Sequence, residues 1–220
     1  MKEIIKLTLA LGIVCLVAAS VLSFAYYKTI DRQEEAAREE RTRAIRKVLP
    51  DYTNKPLKDK VTATHKNTTV TFFRALKNGK LVGVAARGVT DKGYGGRIKL
   101  LIGLTPEGNI REIVTTQHQE TPGLGTKALE RKASKTIGDV LSEGQGNSKK
   151  SSLPPNTYLD QYKKYNVAED VGDFKLKKKG GEIDAVSGAT ITSNAVADAV
   201  SKVSRVFAHN RQKIVKGTEK

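Results

Sequence analysis

The chain has 220 residues, 38% hydrophobic and 28% charged, and a formal net charge of +16. That composition builds a core and excludes a disordered chain, while a single cysteine excludes an internal disulfide and a cysteine-ligated zinc or iron–sulfur centre. The lysines and arginines are spread along the chain, with no zinc-finger spacing, aromatic RNA-binding box or recognition helix, so nucleic acid is not an expected partner.

Leu7 to Tyr27, "LTLALGIVCLVAASVLSFAYY", carries no charge. As a helix it rises about 31 Å, close to the hydrocarbon thickness of a bilayer. Tyr26, Tyr27 and Lys28 form an interfacial border. "SFA" at Ser23–Ala25 also fits a signal-peptide cleavage site. The length of the run and the bulky tyrosine pair favour an uncleaved anchor, with residues 1–28 as a single transmembrane helix. Lys28, Arg32, Arg38, Arg41, Arg43, Arg46 and Lys47 follow the segment, against Lys2 and Lys6 before it. Counted by the positive-inside rule alone, these place the following domain in the cytoplasm.

Residues 29–68 read as a charged linker helix and a connection. Glu34–Arg38 and Glu39–Arg43 have the favourable i,i+4 polarity, and Pro50 ends the helix. From Thr69 the period changes to that of strands. "TVTFFRAL" and "LVGVAARGV" flank the turn signal Asn78-Gly79. A second hairpin joins a strand at about Ile98–Leu104 to "IREIVTTQH" through "TPEGN". "HQETPGLG", His118 to Gly125, is a shaped loop in which Pro122 fixes one backbone angle and Gly123 and Gly125 free others. Taken alone it reads first as an ordinary turn.

"TKALERKASKTIGDVLSEG" reads as a helix, "GQGNSKKSSLPPN" as a low-complexity loop, "TYLDQYKKYNV" as a short helix and "DFKLKKKGGEIDAV" as one or two short strands. From Ile191 a long helix sets Val196, Val200, Val203 and Phe207 on one face. The domain therefore spans 69–210, with a basic tail at 211–220. The fold class is α+β: antiparallel hairpins packed with helices, behind one transmembrane helix. No nucleophilic triad, nucleotide-binding loop or metal-ligand spacing is present, so no catalytic residue and no metal site is expected.

"DAVSGATITSNAV", Asp184 to Val196, opens the long helix. Ser187, Thr190, Thr192 and Ser193 are each able to cap it. The same helix start, with its free amides and positive dipole end, suits a phosphate beside Thr190. Residue chemistry alone leaves both readings open.

"DAVSGATITS" resembles the Asp-x-x-Ser/Thr-Gly-Ala-Thr pattern on which flavin transferases place FMN. "HQETPGLG" resembles the second signature of those flavoproteins, and "GYGGRIKLLIGL" the strand that precedes it. With the single N-terminal helix, the arrangement is similar to the G subunits of Rnf electron-transport complexes. The C subunits of sodium-translocating NADH:quinone reductases share the motif and stand as the alternative. The resemblance implies FMN esterified through its phosphate to Thr190. Asp184, Ser187, Gly188, Ala189 and Thr192 would complete the attachment motif, and His118, Glu120, Thr121, Gly123, Leu124 and Gly125 would lie near the isoalloxazine. It further implies an electron-relaying subunit, not a complete enzyme alone, with other complex subunits and a flavin transferase as partners. The family places such domains on the non-cytoplasmic side, against the arginine count. A basic, cofactor-free module that docks on a membrane surface or a partner is the alternative of a different class; it explains the charge but not the paired motifs.

Overall fold

The structure is a computed structural model that describes residues 1–131, 153–172 and 174–217, apart from the side chains at 31, 33, 34 and 37. The expected Glu34–Arg38 pair, the part of the expected 126–144 helix from 132 onward and most of the low-complexity loop lie outside the described residues. The chain divides into two units, Met1–Thr42 and Arg43–Lys220.

The first unit is helical, the start of α1 (Lys2–Val48). Its 29-residue stretch Lys2–Ile30 is long and apolar enough to cross a membrane by length and composition. Leu7, Leu11, Leu22 and Phe24 are all exposed there, the pattern of a helix whose apolar surface is not spent on a core of this chain.

The second unit is a five-stranded antiparallel sheet in the order β1-β2-β3-β4-β5, covered by helices. The strands are β1 (Lys60–His65), β2 (Thr68–Lys77), β3 (Lys80–Gly93), β4 (Gly96–Leu104) and β5 (Ile110–Gln117). Tight turns set this meander. Asn78 and Gly79 between β2 and β3 both have positive φ, 52° and 77°, the turn whose twist matches the flanking strands. The sheet begins at Lys60, within the stretch expected to be a connection. β1 carries only Val61 and Ala63 inward among polar residues, too little apolar alternation to announce a strand.

One face of the sheet packs on α4 (Thr190–Lys216). Val196, Val200, Val203 and Phe207 are fully buried there, each contributing about 1.5–3 kcal/mol. Phe207 meets Phe72 of β2, with ring centroids 6.0 Å apart. Ser201 and Ser204 are buried as well, because another flank of α4 is covered by the segment that begins with α3 (Thr157–Asp160) and continues as a 3-10 turn at Gln161–Lys164; Ser204 Oγ donates to Val167 O at 3.1 Å, and Phe174 N donates to Ser201 Oγ at 2.8 Å. From α3 the Tyr158 hydroxyl donates to Ser193 O at 2.6 Å and shares a 2.8 Å hydrogen bond with Tyr162. The other sheet face is covered by the end of α1 and the residue after it. Ala44, Ile45, Val48 and Leu49 pack on Phe73, Ala75, Ala85 and Leu101.

Three expectations are corrected. Among the described residues, the helix expected over 126–144 is a single turn, α2 (Thr126–Leu129), and Glu130 after it is extended, with φ −90° and ψ 137°. "DFKLKKKGGEIDAV" forms no strand among its described residues; a parallel bridge, Leu176 to Ile183, brackets a 3-10 turn at Lys177–Lys179. Residues 211–216 of the expected basic tail belong to α4, which continues to Lys216 with Ile214 buried. Arg74 of β2 caps that end, donating to Val215 O at 3.0 Å and Lys216 O at 3.2 Å.

Candidate functional site

The site lies where α4 begins. Ala189 precedes the helix, buried, with Ser193 N donating to its carbonyl at 2.8 Å. Gly188 takes a φ of 77°, which costs glycine little and other residues more. Ala189 N donates to Val186 O at 3.0 Å, so Val186–Ala189 folds back as a turn on the helix start.

The hydroxyls expected to cap α4 do not do so: no side chain among the described residues caps it. Thr192 and Ser193 are buried and committed elsewhere. Thr192 donates to Glu120, and Ser193 Oγ accepts from Val186 N at 3.2 Å. Ala189, at the capping position, has no side-chain oxygen. Thr190 is half-buried, and its hydroxyl has no hydrogen-bond partner among the described residues; its carbonyl accepts from Asn194 Nδ2 at 3.0 Å. The first turn of α4 therefore keeps unpaired amides and the positive end of the helix dipole beside the Thr190 hydroxyl.

The His118–Gly125 loop follows β5 and is braced from within. Glu120 N donates to His118 Nδ1 at 3.3 Å, Leu124 N to Thr121 O at 3.2 Å, and Gly123 N to Thr126 Oγ1 at 2.9 Å. Gly123 has a φ of 78°, which the turn requires. Glu120 is 5% exposed. Its Oε1 accepts from Gly95 N at 3.0 Å and its Oε2 from the Thr192 hydroxyl at 2.6 Å. A side chain at Gly125 would collide with Glu120 and come within 2.9 Å of Thr192 Oγ1; one at Gly188 would sit 3.4 Å from Leu124 Cδ2.

Glu120, Leu124 and Gly125 of the loop are thus brought against Gly188 and Thr192, with Ala189 and Thr190 between them. Ser187 is exposed beside Gly188. His118 and Thr121 stay within their own loop, where His118 Nε2 lies 3.9 Å from Glu130. Asp184 is exposed and turned to Lys177 Nζ at 2.8 Å, while its backbone pairs with the Gln161 amide at 2.8 and 3.1 Å. Neither of these polar partners belongs to the start of α4. Gly95 and Ile191 belong to the site and were not among the expected residues. The signals were in the sequence: a glycine-rich turn in "GYGG", and an apolar residue between two threonines at a helix start.

The geometry fits an FMN carrier. A free hydroxyl stands at an uncapped helix start, small residues precede it, and Leu124 and Ile191 are about half exposed beside it. The family model of the FMN-binding domain matches residues 93–204, a stretch that holds both loops and the Gly93–Gly96 turn. The chain is 28% identical to the G subunit of the ion-translocating oxidoreductase complex of Shewanella piezotolerans, over 97% of this chain and 94% of that one. It is 31% identical to the G subunit of the same complex in Pseudomonas aeruginosa, over 97% and 93%, and to that of Pasteurella multocida, over 87% and 87%. The chain belongs to the G-subunit family of ion-translocating oxidoreductase complexes. Membership brings the FMN-binding domain with it.

Proposed function

We propose that this protein carries FMN covalently, through a phosphoester to Thr190 Oγ1, and relays electrons inside a membrane-bound Rnf-type complex that couples ferredoxin/NAD electron transfer to ion translocation. The observation that carries this is the Thr190 hydroxyl: unengaged, partly accessible, and set at a helix start whose amides favour a phosphate. Thr192 and Ser193, two residues of the same hydroxyl chemistry, are buried and already hydrogen-bonded. The amides of Thr190, Ile191 and Thr192 would hold the phosphate. Ser187, Gly188 and Ala189 keep the approach open, while Leu124 and Ile191 would face the ring. Asp184, His118, Thr121 and Gly123 shape the two loops. The isoalloxazine supplies the electron-accepting and electron-donating chemistry. The chain positions it and keeps it from being lost, so the protein is a carrier and not a complete enzyme.

Lys2–Ile30 would anchor the protein in the membrane, and the FMN-binding domain, built on the sheet β1–β5 and α4, would lie on the non-cytoplasmic side. The other subunits of the complex and a flavin transferase would be its partners. A reporter enzyme active only outside the cytoplasm, fused after the last residue, should be active; activity of a cytoplasmic reporter instead would reject that topology. Attachment is tested by co-expressing the full chain with a flavin transferase and denaturing it on a gel. The wild-type band should keep flavin fluorescence and Thr190→Ala should be dark. A dark wild-type band, or a fluorescent Thr190→Ala band, would reject Thr190 as the site.

A further inference from the structure

In the second unit the large apolar side chains that stand exposed among the described residues are Tyr94, Leu124, Val171 and Ile191. Three of these four immediately precede a residue that closes on one carboxylate. Tyr94 precedes Gly95, whose amide donates to Glu120 Oε1. Ile191 precedes Thr192, whose hydroxyl donates to Glu120 Oε2. Leu124 precedes Gly125, whose backbone packs on the Glu120 side chain so tightly that a Cβ would collide with it. Gly95 in turn leaves no space for a side chain against the backbone of Gln119. Three segments far apart in sequence therefore meet at Glu120, and each presents an apolar side chain to solvent.

Glu120 itself is not presented to a ligand. It is 5% exposed, and each of its oxygens already accepts a hydrogen bond from the protein. A carboxylate is costly to bury unless its oxygens are satisfied, and here the two donors come from two other segments. We propose that Glu120 is a positioning residue: its carboxylate ties the Gly93–Gly96 turn and the first turn of α4 to the His118–Gly125 loop, and so holds Tyr94, Leu124 and Ile191 as an apolar seat for the isoalloxazine. The proposal rests on attachment at Thr190, and it assigns Glu120 a role other than direct contact with the cofactor. What the tie fixes is geometry, and a glutamine can make the same two links. Its oxygen accepts from Gly95 N–H and its NH₂ donates to Thr192 Oγ1.

The test compares wild type, Glu120→Gln and Glu120→Ala as full chains in detergent. Each is made without a flavin transferase for amide exchange at Gly95, and with one for the rate of modification and the fluorescence anisotropy of the attached flavin. In Glu120→Ala the Gly95 amide should exchange at least tenfold faster, modification should slow at least tenfold, and the anisotropy should fall. Glu120→Gln should restore most of all three. If Glu120→Ala does not fold, Gly95→Ala does not substitute for it, because it adds a collision; Thr192→Val, which removes one link only, should lower the anisotropy in the same direction. Wild-type anisotropy and Gly95 protection in Glu120→Ala, or Glu120→Gln as impaired as Glu120→Ala, would overturn the positioning role while leaving attachment intact. An unmodified wild-type chain would overturn the attachment and the seat together.

Discussion

Replacing Thr192 with valine removes one O–H and changes almost nothing else in shape. In the wild type that hydroxyl donates to Glu120 Oε2 at 2.6 Å, between two buried groups. A hydrogen bond to a charged group contributes about 1.5–3 kcal/mol. The added methyl offsets part of the loss, by up to about 0.8 kcal/mol, so Thr192→Val should cost about 1–2 kcal/mol. For a chain of this size 1 kcal/mol lowers the melting temperature by about 2–4 °C, which gives a fall of about 2–8 °C. Thr192→Ser keeps the donor and loses only a methyl, about 0.8 kcal/mol. The assay is thermal unfolding of the full chains in detergent, followed by circular dichroism at fixed pH. The expected order of stability is wild type, then serine, then valine. If Thr192 mattered only as a packed side chain the order would invert, because serine leaves a cavity and valine fills it. Valine more stable than serine would refute the hydrogen-bond account.

The Asp160 carboxyl should set a stability loss in acid. Partial burial alone would raise its pKa, but hydrogen bonds from Arg131, then Lys163 and the Asn156 amide, outweigh this and hold it at about 2. A depressed carboxylate stabilises the fold above its ordinary pKa of 3.8 and loses that contribution as pH falls towards 2. Urea midpoints should therefore drop between about pH 4 and pH 2 by the equivalent of about 1 kcal/mol after solvent screening, and Asp160→Asn should flatten that part of the profile. Gly125→Ala should destabilise by about 2–3 kcal/mol in the same melting assay, since the new methyl collides with both the Glu120 side chain and Thr192 Oγ1. Gly123→Ala meets open space but must hold a φ of 78°, and it should cost only about 1 kcal/mol. Equal effects at the two glycines would contradict the close approach at Gly125.

Local signals were legible wherever they were strong. The Asn78-Gly79 turn fixed a hairpin, and the spacing of Val196, Val200, Val203 and Phe207 marked the helix face that the sheet covers. The strand β1 was not legible because Lys60–His65 buries only Val61 and Ala63, and it gains its place by pairing with β2. "DFKLKKKGGEIDAV" looked extended but bends through three lysines into a turn, where Gly180 takes a φ of 77°. At the site, the two motifs were readable as motifs, yet the bond that joins them was not. Glu120 and Thr192 are 72 residues apart, and no spacing rule connects them. The same tertiary bond explains why capping failed as an expectation. A row of hydroxyls at a helix start suggests a cap, but here Thr192 and Ser193 are drawn to partners elsewhere, and Thr190 is left over.

That remaining hydroxyl is where the account is most exposed to test. Full-length chain co-expressed with a flavin transferase should be digested and its peptides mapped by mass spectrometry. The account predicts that the peptide containing Thr190 gains the mass of one FMN less one water, and that fragment ions place the addition on Thr190. Modification on Ser187 or Thr192, or a wild-type peptide that remains unmodified under those conditions, would contradict it.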